Sequence, residues 1–249
     1  MKSEGRYVYC IITSTQDRNF GPIGVGGRRD EVSTIGYEGL MMVSSSHPTA
    51  KIIANRENLL SHAKVIEVVM KEFVSVLPVR FGIVAADAEI RAILKKEYDK
   101  FKNLLINLNN KRELGVKAIF DEAAIYKHIL EKHKDINKLK MSIVSLPAEK
   151  TRSQRMKIGE MVEAALRDEV EILKKDILSI LSPLAVDVKI NKTFGERMIV
   201  NAAFLVEKDM EDTFYCRVND IDAKHRGRMK LKYVCDVPPF NFVNLTINP

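Results

Sequence analysis

Apolar residues recur along this chain with two different periods, and the switches between them outline its elements. Residues 6–13 alternate and are rich in β-formers, the pattern of a strand. Residues 32–37 and 40–45 repeat that pattern around Glu38-Gly39, which predicts a hairpin. From Asn55, a suitable N-cap, the period changes to that of a helix. Leu59, Ala63, Ile66, Val69 with Met70, and Phe73 then fall on one side. Leu77, Val79, Phe81 and Ile83 next alternate with Pro78, Arg80, Gly82 and Val84, predicting a strand over 77–84 with one apolar face. Asp87 is expected to cap a helix running to about Leu108, with Ile90, Ile93, Phe101, Leu104 and Leu108 inward.

The polar break Asn109-Asn110-Lys111-Arg112 divides the chain in two. Beyond it a strand is predicted over 114–120 and a helix over 122–131 behind Asp121, followed by a lysine-rich connector over 132–140. A long helix follows over about 148–181, with Met161, Ala165, Val170, Leu173, Ile177 and Ile180 on one face. Unbroken, it would extend on the order of 50 Å; Gly159 is its weak point and Pro183 its end. Residues 186–192 and 197–206 form a hairpin turned at Thr193-Phe194-Gly195, then come a helix over 209–223 and a strand over 229–237. The fold class expected is α+β with two domains. Residues 1–110 make an N-terminal α+β domain. Residues 111–237 make a ferredoxin-like β-α-β-β-α-β domain with a helical insertion at about 148–181. Residues 238–249 form a tail.

Composition narrows the setting. With 46% hydrophobic and 29% charged residues the chain has the balance of a soluble globular protein. No run approaches the roughly 20 apolar residues that span a bilayer, and the start leads into a strand pattern without a signal-peptide profile. Cys10, Cys216 and Cys235 are odd in number and widely spaced, so a reducing cytosol is expected and a disulfide framework is not. The net charge of +7 invites a nucleic-acid reading. The cations, however, are interleaved with acids, as in Glu163/Arg167 and Glu171/Lys175, which is the pattern of solvated helices.

Motif by motif, catalytic and cofactor chemistry lacks a signature. The stretch Gly21-Pro22-Ile23-Gly24-Val25-Gly26-Gly27 neither follows a strand directly nor opens a helix, so it is expected to be a mobile loop rather than a nucleotide cradle. His128 and His133 are five apart, not four, and no Cys-x-x-Cys exists, so no metal is expected. No nucleophile elbow is present, and Glu67, Glu72, Glu163 and Glu169 look like solubilising charges. No enzyme activity and no cofactor are expected. The strand over 197–206 lacks the stacking aromatics of RNA-binding sheets.

Some residues are odd for a plain scaffold. Arg80 and His62 are expected on an exposed strand face and a solvated helix edge near Asn58. A covered Arg80 would instead have to be paired. In the tail, Pro238 and Pro239 fix an extended backbone, which puts Phe240 and Phe242 on the same side of Asn241. These two rings are expected to dock on the protein's own body near the boundary between its halves, as a latch; a segment held free for a partner is the alternative.

The segment from Asn58-Leu59-Leu60-Ser61-His62 through Val68-Val69-Met70 to Val76-Leu77-Pro78-Val79-Arg80-Phe81-Gly82 resembles the signature of the gas vesicle protein F/L family. The likeness continues in order through Tyr7-Val8-Tyr9, Gly24-Val25-Gly26-Gly27, Arg112-Glu113-Leu114-Gly115-Val116-Lys117, Met198-Ile199-Val200-Asn201-Ala202-Ala203-Phe204 and Pro238-Pro239-Phe240-Asn241-Phe242. It departs where Cys235-Asp236-Val237 replaces the family's usual Gly-Pro-Trp. The resemblance implies an accessory or minor component of gas vesicles, the gas-filled protein shells of some bacteria and archaea. It implies a cytoplasmic protein that engages the small hydrophobic shell protein, and other accessory proteins, to assist nucleation and prevent aggregation. It implies no cofactor, no nucleic acid and no membrane. Partner contact is expected in residues 1–110, at Asn58, His62, Arg80 and Phe81. A nucleic-acid-binding ferredoxin-like protein is the alternative favoured by charge, and a small-molecule enzyme on an α+β scaffold comes third.

Overall fold

A computed structural model describes residues 4–49, 52–225, 227–243 and 245. The fold mixes helix and sheet in the α+β manner and divides into two compact units, one of Met1–Leu114, Leu205–Lys208 and Cys235–Pro249, the other of Gly115–Phe204 and Asp209–Val234. Positions 244 and 246–249 of the expected tail lie outside the described residues.

The first unit opens with β1 (Glu4–Thr13), β2 (Asn19–Gly21), β3 (Val32–Tyr37) and β4 (Leu40–Pro48). These strands run in the order β2-β3-β4-β1 with antiparallel pairing, and Glu38 and Gly39 turn β3 into β4 with positive φ at both positions. Helix α1 (Arg56–Glu72) follows, capped by the Asn55 side chain. The strand expected over 77–84 is instead two short pieces, β5 (Leu77–Pro78) and β6 (Val84–Ala85), each paired with β1. Between them the chain turns at Phe81-Gly82, where Gly82 has φ +97°. The helix expected over 87–108 is also two: α2 (Asp87–Lys96) and α3 (Tyr98–Leu108) break at Glu97, and the N-cap is Ala86 rather than Asp87.

Both faces of this sheet are covered. Val8, Ile11 and Met42 pack with Ile90, Leu94, Phe101 and Leu105 of α2 and α3. Tyr7, Tyr9, Ile12 and Val43 pack on the other face with Val65, Ile66 and Val69 of α1. A bulge between Val8 and Cys10 puts Tyr9 and Cys10 in the same cluster, resetting the two-residue alternation. The buried stripe of α1 is His62, Val65, Ile66 and Val69, so Leu59 falls outside it. The glycine-rich stretch is pinned rather than free: Val25 is fully buried and its N–H donates to the Tyr9 hydroxyl at 2.8 Å.

The second unit is organised on β7 (Lys111–Phe120), β8 (Asp187–Ile190), β9 (Met198–Glu207) and β10 (Met229–Val237), in the sheet order β10-β7-β9-β8. Its helices are α4 (Glu122–Lys132), α5 (Lys134–Ile143), α6 (Arg152–Leu181) and α7 (Glu211–Lys224). The 30 residues of α6 span about 45 Å. Val200, Ala202, Phe204 and Val206 share a buried face of β9, but Ile199, Asn201 and Ala203 between them are buried too, as befits a strand flanked on both sides. On α6 the buried stripe is Ala165, Glu169, Leu173, Ile177 and Leu181.

Candidate functional site

His62 is a helix residue that packs as core. Four-residue spacing places it on α1 directly after Asn58, yet it is only 3% exposed, so the solvated edge expected for it is incorrect. Its Nε2 lies 3.0 Å from the Val79 carbonyl and its Nδ1 2.9 Å from the Tyr7 hydroxyl. A carbonyl only accepts, so the ring proton belongs on Nε2, and Nδ1 accepts from the Tyr7 O–H. The Tyr7 oxygen in turn accepts from the Gly82 N–H at 3.1 Å. One chain of hydrogen bonds therefore ties β1, α1 and the turn after β5. Tyr9 and Phe240 lie nearly parallel to the imidazole, at centroid distances of 5.6 and 6.2 Å, and Phe81 meets it edge-on at 5.7 Å.

Electrostatics follow from this burial. The His62 imidazole is lowered to about 4 by burial, against an opposing pull from the Val79 carbonyl. Burial raises Tyr7 and Tyr9 above the usual phenol range, while their hydrogen bonds work the other way. The cluster is thus neutral near pH 7. It is a packing and hydrogen-bonding device.

The tail docks onto this unit. Pro238 and Pro239 are buried, and the Phe240 and Phe242 N–H groups donate to the Pro238 and Pro239 carbonyls at 2.7 and 3.1 Å. These bonds fold the segment into a turn, so the extended backbone expected for it is incorrect. Phe240 stacks on His62, whereas Phe242, Val243 and Leu245 join the cluster of α2 and α3. Asn241 donates from its backbone N–H and its Nδ2 to the two oxygens of Glu113, at 3.0 and 2.5 Å. Burial pushes the Glu113 carboxyl up, and the two Asn241 bonds only partly offset that.

Large apolar side chains are exposed before α1, in its first turns, and on the tail beside the histidine. Ile53 is 75%, Leu59 45% and Leu60 59% exposed, Phe240 remains 39% exposed, and Phe81 is half-buried. Arg80 is exposed and makes no ion pair among the described residues. Those residues form no group of three or more His, Cys, Asp or Glu able to hold a metal, and no helix is long and apolar enough to cross a membrane.

The profile of the gas vesicle synthesis protein GvpL/GvpF family matches residues 5–244, nearly the whole chain. The chain belongs to that family. Gas vesicle protein F of Dolichospermum flosaquae is 31% identical over 78% of this chain and 80% of its own length. Gas vesicle protein F1 of Halobacterium salinarum is 23% identical over 98% of this chain and 95% of its own. The crystal structure of GvpF from Anabaena sp. PCC7120 covers 98% of this chain and 100% of its own, with a TM-score of 0.80 at 28% identity.

In this GvpL/GvpF member, the four residues expected to meet a partner separate into two kinds. Asn58 is a local brace, its N–H bonded to the Asn55 side chain and its Nδ2 to the Ile53 carbonyl. His62 braces the interior, while Arg80 faces solvent and Phe81 lies half-covered beside the histidine. Sequence reasoning overlooked Tyr7, Tyr9 and Glu113, although two tyrosines flanking Val8 in an otherwise aliphatic strand signalled hydroxyls needing partners.

It also misread Glu169. This carboxylate is 5% exposed and bonds Lys132 Nζ at 2.8 Å and His128 Nε2 at 3.1 Å, both from α4, with Arg228 Nη1 at 4.0 Å. Burial works to raise its pKa, but Lys132 and His128 outweigh it, and the carboxyl is held below its ordinary value. The four-residue steps from Ala165 through Glu169 to Leu173 were the visible signal. A second pairing nearby joins Asp176 to Lys224 and the buried His225, both at 2.7 Å. These networks fasten α4 and α7 to α6.

Proposed function

We propose that this chain is a non-catalytic gas vesicle accessory protein, acting in the cytoplasm at the growing vesicle. It binds the small hydrophobic shell protein, shields it from aggregation and assists its assembly, in the company of other accessory proteins. Nucleic acid and membrane are not its partners. The observation that carries this reading is the set of exposed apolar side chains in this unit, Ile53 before α1, Leu59 and Leu60 in its first turns, and partly exposed Phe240 against His62, with Arg80 exposed and without an ion pair among the described residues. Large exposed apolar side chains are candidates for an interaction surface, and a subunit with an apolar face needs such cover before assembly. The His62 network stiffens the backbone beneath that surface, so little ordering cost falls on binding. Residues 1–110 are accordingly assigned the partner contact, with the turn Pro238–Phe242 as an internal latch. Residues 111–237 are assigned a ferredoxin-like domain with a helical insertion, supported by the β10-β7-β9-β8 order.

The test is light scattering of the shell protein with and without the full chain. The double variant Leu59→Ser/Leu60→Ser alters only exposed positions, so its melting temperature should match the unsubstituted chain while suppression falls several-fold. Undiminished suppression by that variant would overturn the assignment.

A further inference from the structure

A second surface lies in the second unit, away from any residue of the His62 cluster in sequence. Helices α4, α5 and α6 leave a concave groove of about 420 Å³ between them, lined by Tyr126, Ile143, Val144, Ile158 and Val162. Its floor is opened by Gly159, where an added Cβ would meet no atom within 4 Å. The groove is within the size of pockets that take several side chains. Val144, which lines it, is 64% exposed, and Met141 and Met156, next in sequence to the lining residues Lys140 and Arg155, are 63% and 60% exposed. Methionines adapt their shape, which suits a recognition surface.

The rim is cationic. Lys140 and Arg155 line the groove itself. Lys140 Nζ lies 4.9 Å from the centre of the Tyr126 ring, and Arg155 Nε bonds the Thr151 hydroxyl at 3.0 Å. Neither forms an ion pair with a carboxylate among the described residues. Residues 134–157 contain seven Lys or Arg against Asp135 and Glu149. A glycine in the middle of a 30-residue helix costs about 1 kcal/mol relative to alanine. Here that cost opens the groove.

We infer that this groove is a docking site for an amphipathic helix of a partner protein, apolar on one face and acidic along its flanks. The concave form selects a helix over a flat lipid surface: a helix ridge fills a groove between helices, whereas a bilayer meets a convex or flat face. The uncompensated rim selects acidic flanks, since complementary charge steers the encounter and rejects basic helices. This site is independent of the shell-protein surface proposed above. One accessory protein would then hold its apolar client through the first unit and an acidic partner through the second.

The test uses the full chain and fluorescein-labelled 18-residue helical peptides with apolar residues at i, i+3, i+4 and i+7. One set carries Glu on its flanks and a matched set carries Lys. Fluorescence anisotropy should show saturable binding of the Glu set, at least tenfold tighter than the Lys set. Gly159→Phe fills the groove without meeting a neighbour at its Cβ and improves helix propensity. It should abolish binding while leaving the melting temperature equal or higher. Lys140→Glu/Arg155→Glu should reverse the preference between the two sets. Equal affinity of both sets, binding unaffected by Gly159→Phe, or no binding by any Glu peptide overturns the proposal. So does tighter association with phosphatidylserine vesicles or duplex DNA than with every peptide.

Discussion

Acidification should unfold this protein through His62, with a size set by its burial. The unfolded chain takes up a proton on this imidazole near its ordinary value of 6.5, whereas the folded chain resists until about 4. Between those values the unfolded state binds more protons, so stability rises with pH across the window and is lost as pH falls through it. The neutral ring's full contribution is present above pH 6.5. By pH 4 most of an interval worth about 3 kcal/mol has been lost, at about 1.4 kcal/mol per unit. The structural reason is specific. A second proton must go on Nδ1, which already accepts from the Tyr7 O–H, whose oxygen is committed to the Gly82 N–H. Tyr9 and the nearby His47 ring supply no negative charge to compensate. The assay is urea unfolding of the full chain and of His62→Gln at half-unit steps from pH 7.5 to 4. Gln retains a donor for Val79 and an acceptor for Tyr7 but loses the ring contacts, so about 1–2 kcal/mol should be lost at pH 7. The difference between the two proteins should then shrink and change sign as pH falls towards 4, because the variant lacks the titration. The reasoning is refuted if the two curves stay parallel, or if the His62 ring titrates near 6.5 by NMR.

Three further outcomes are expected. Truncation after Val237 removes the buried Val243 and Leu245 and the donors to Glu113, so urea unfolding should show a loss of roughly 3–6 kcal/mol. An unchanged melting temperature with lost shell-protein binding would mean that the tail is an interaction segment instead. Gly24→Val would place a Cβ 2.7 Å from the Asp30 carbonyl oxygen, and a loss of about 1–3 kcal/mol should appear in the same assay. Glu169→Ala leaves Lys132, His128 and Arg228 facing one another without the carboxylate, and should cost about 1–3 kcal/mol. Because this carboxyl is held below its ordinary value, its contribution is present at neutral pH and lost as pH falls through the folded value, so the penalty should fade in acid.

Periodicity made most elements legible in the sequence, and physics explains where it failed. The hairpin at Glu38-Gly39, the Asn55 and Asp121 caps and the strand over 229–237 are local, and local chemistry decides them. The break at Glu97 has no glycine or proline to announce it. Of the strand expected over 77–84, Leu77, Val79 and Ile83 join the α2 and α3 cluster as the alternation predicts, but the turn at Gly82, whose N–H reaches Tyr7, sends Phe81 to the opposite cluster. His62 and Glu169 were misjudged for a shared reason. A polar residue on an apolar stripe is buried only when partners arrive from distant segments, 55 residues away for Tyr7 and 41 for His128. No helical period shows whether such partners exist. The charged Arg80, with no partner of that kind, faces solvent as the sequence predicts.

The segment that most strongly marks the family is also the one most occupied with holding itself together. Asn58 secures the entry to α1, His62 bridges α1 to β1 and to Val79, and Gly82 closes the chain of hydrogen bonds on Tyr7. With both ring nitrogens engaged inside the protein, His62 has none left for a partner. Under the proposed function, contact passes to side chains that lie between these residues: Leu59 and Leu60 between Asn58 and His62, and Arg80 between Val79 and Phe81. The interleaving is a consequence of helical geometry, because a brace at every fourth position leaves the intervening positions on other faces. The His62→Gln and Leu59→Ser/Leu60→Ser variants consequently separate the two roles. The first should lower stability and weaken binding only as far as the fold loosens, whereas the second should weaken binding at constant stability. If His62→Gln abolished binding under conditions where the chain stayed folded, the imidazole itself would be a contact, and the division between brace and surface would be wrong.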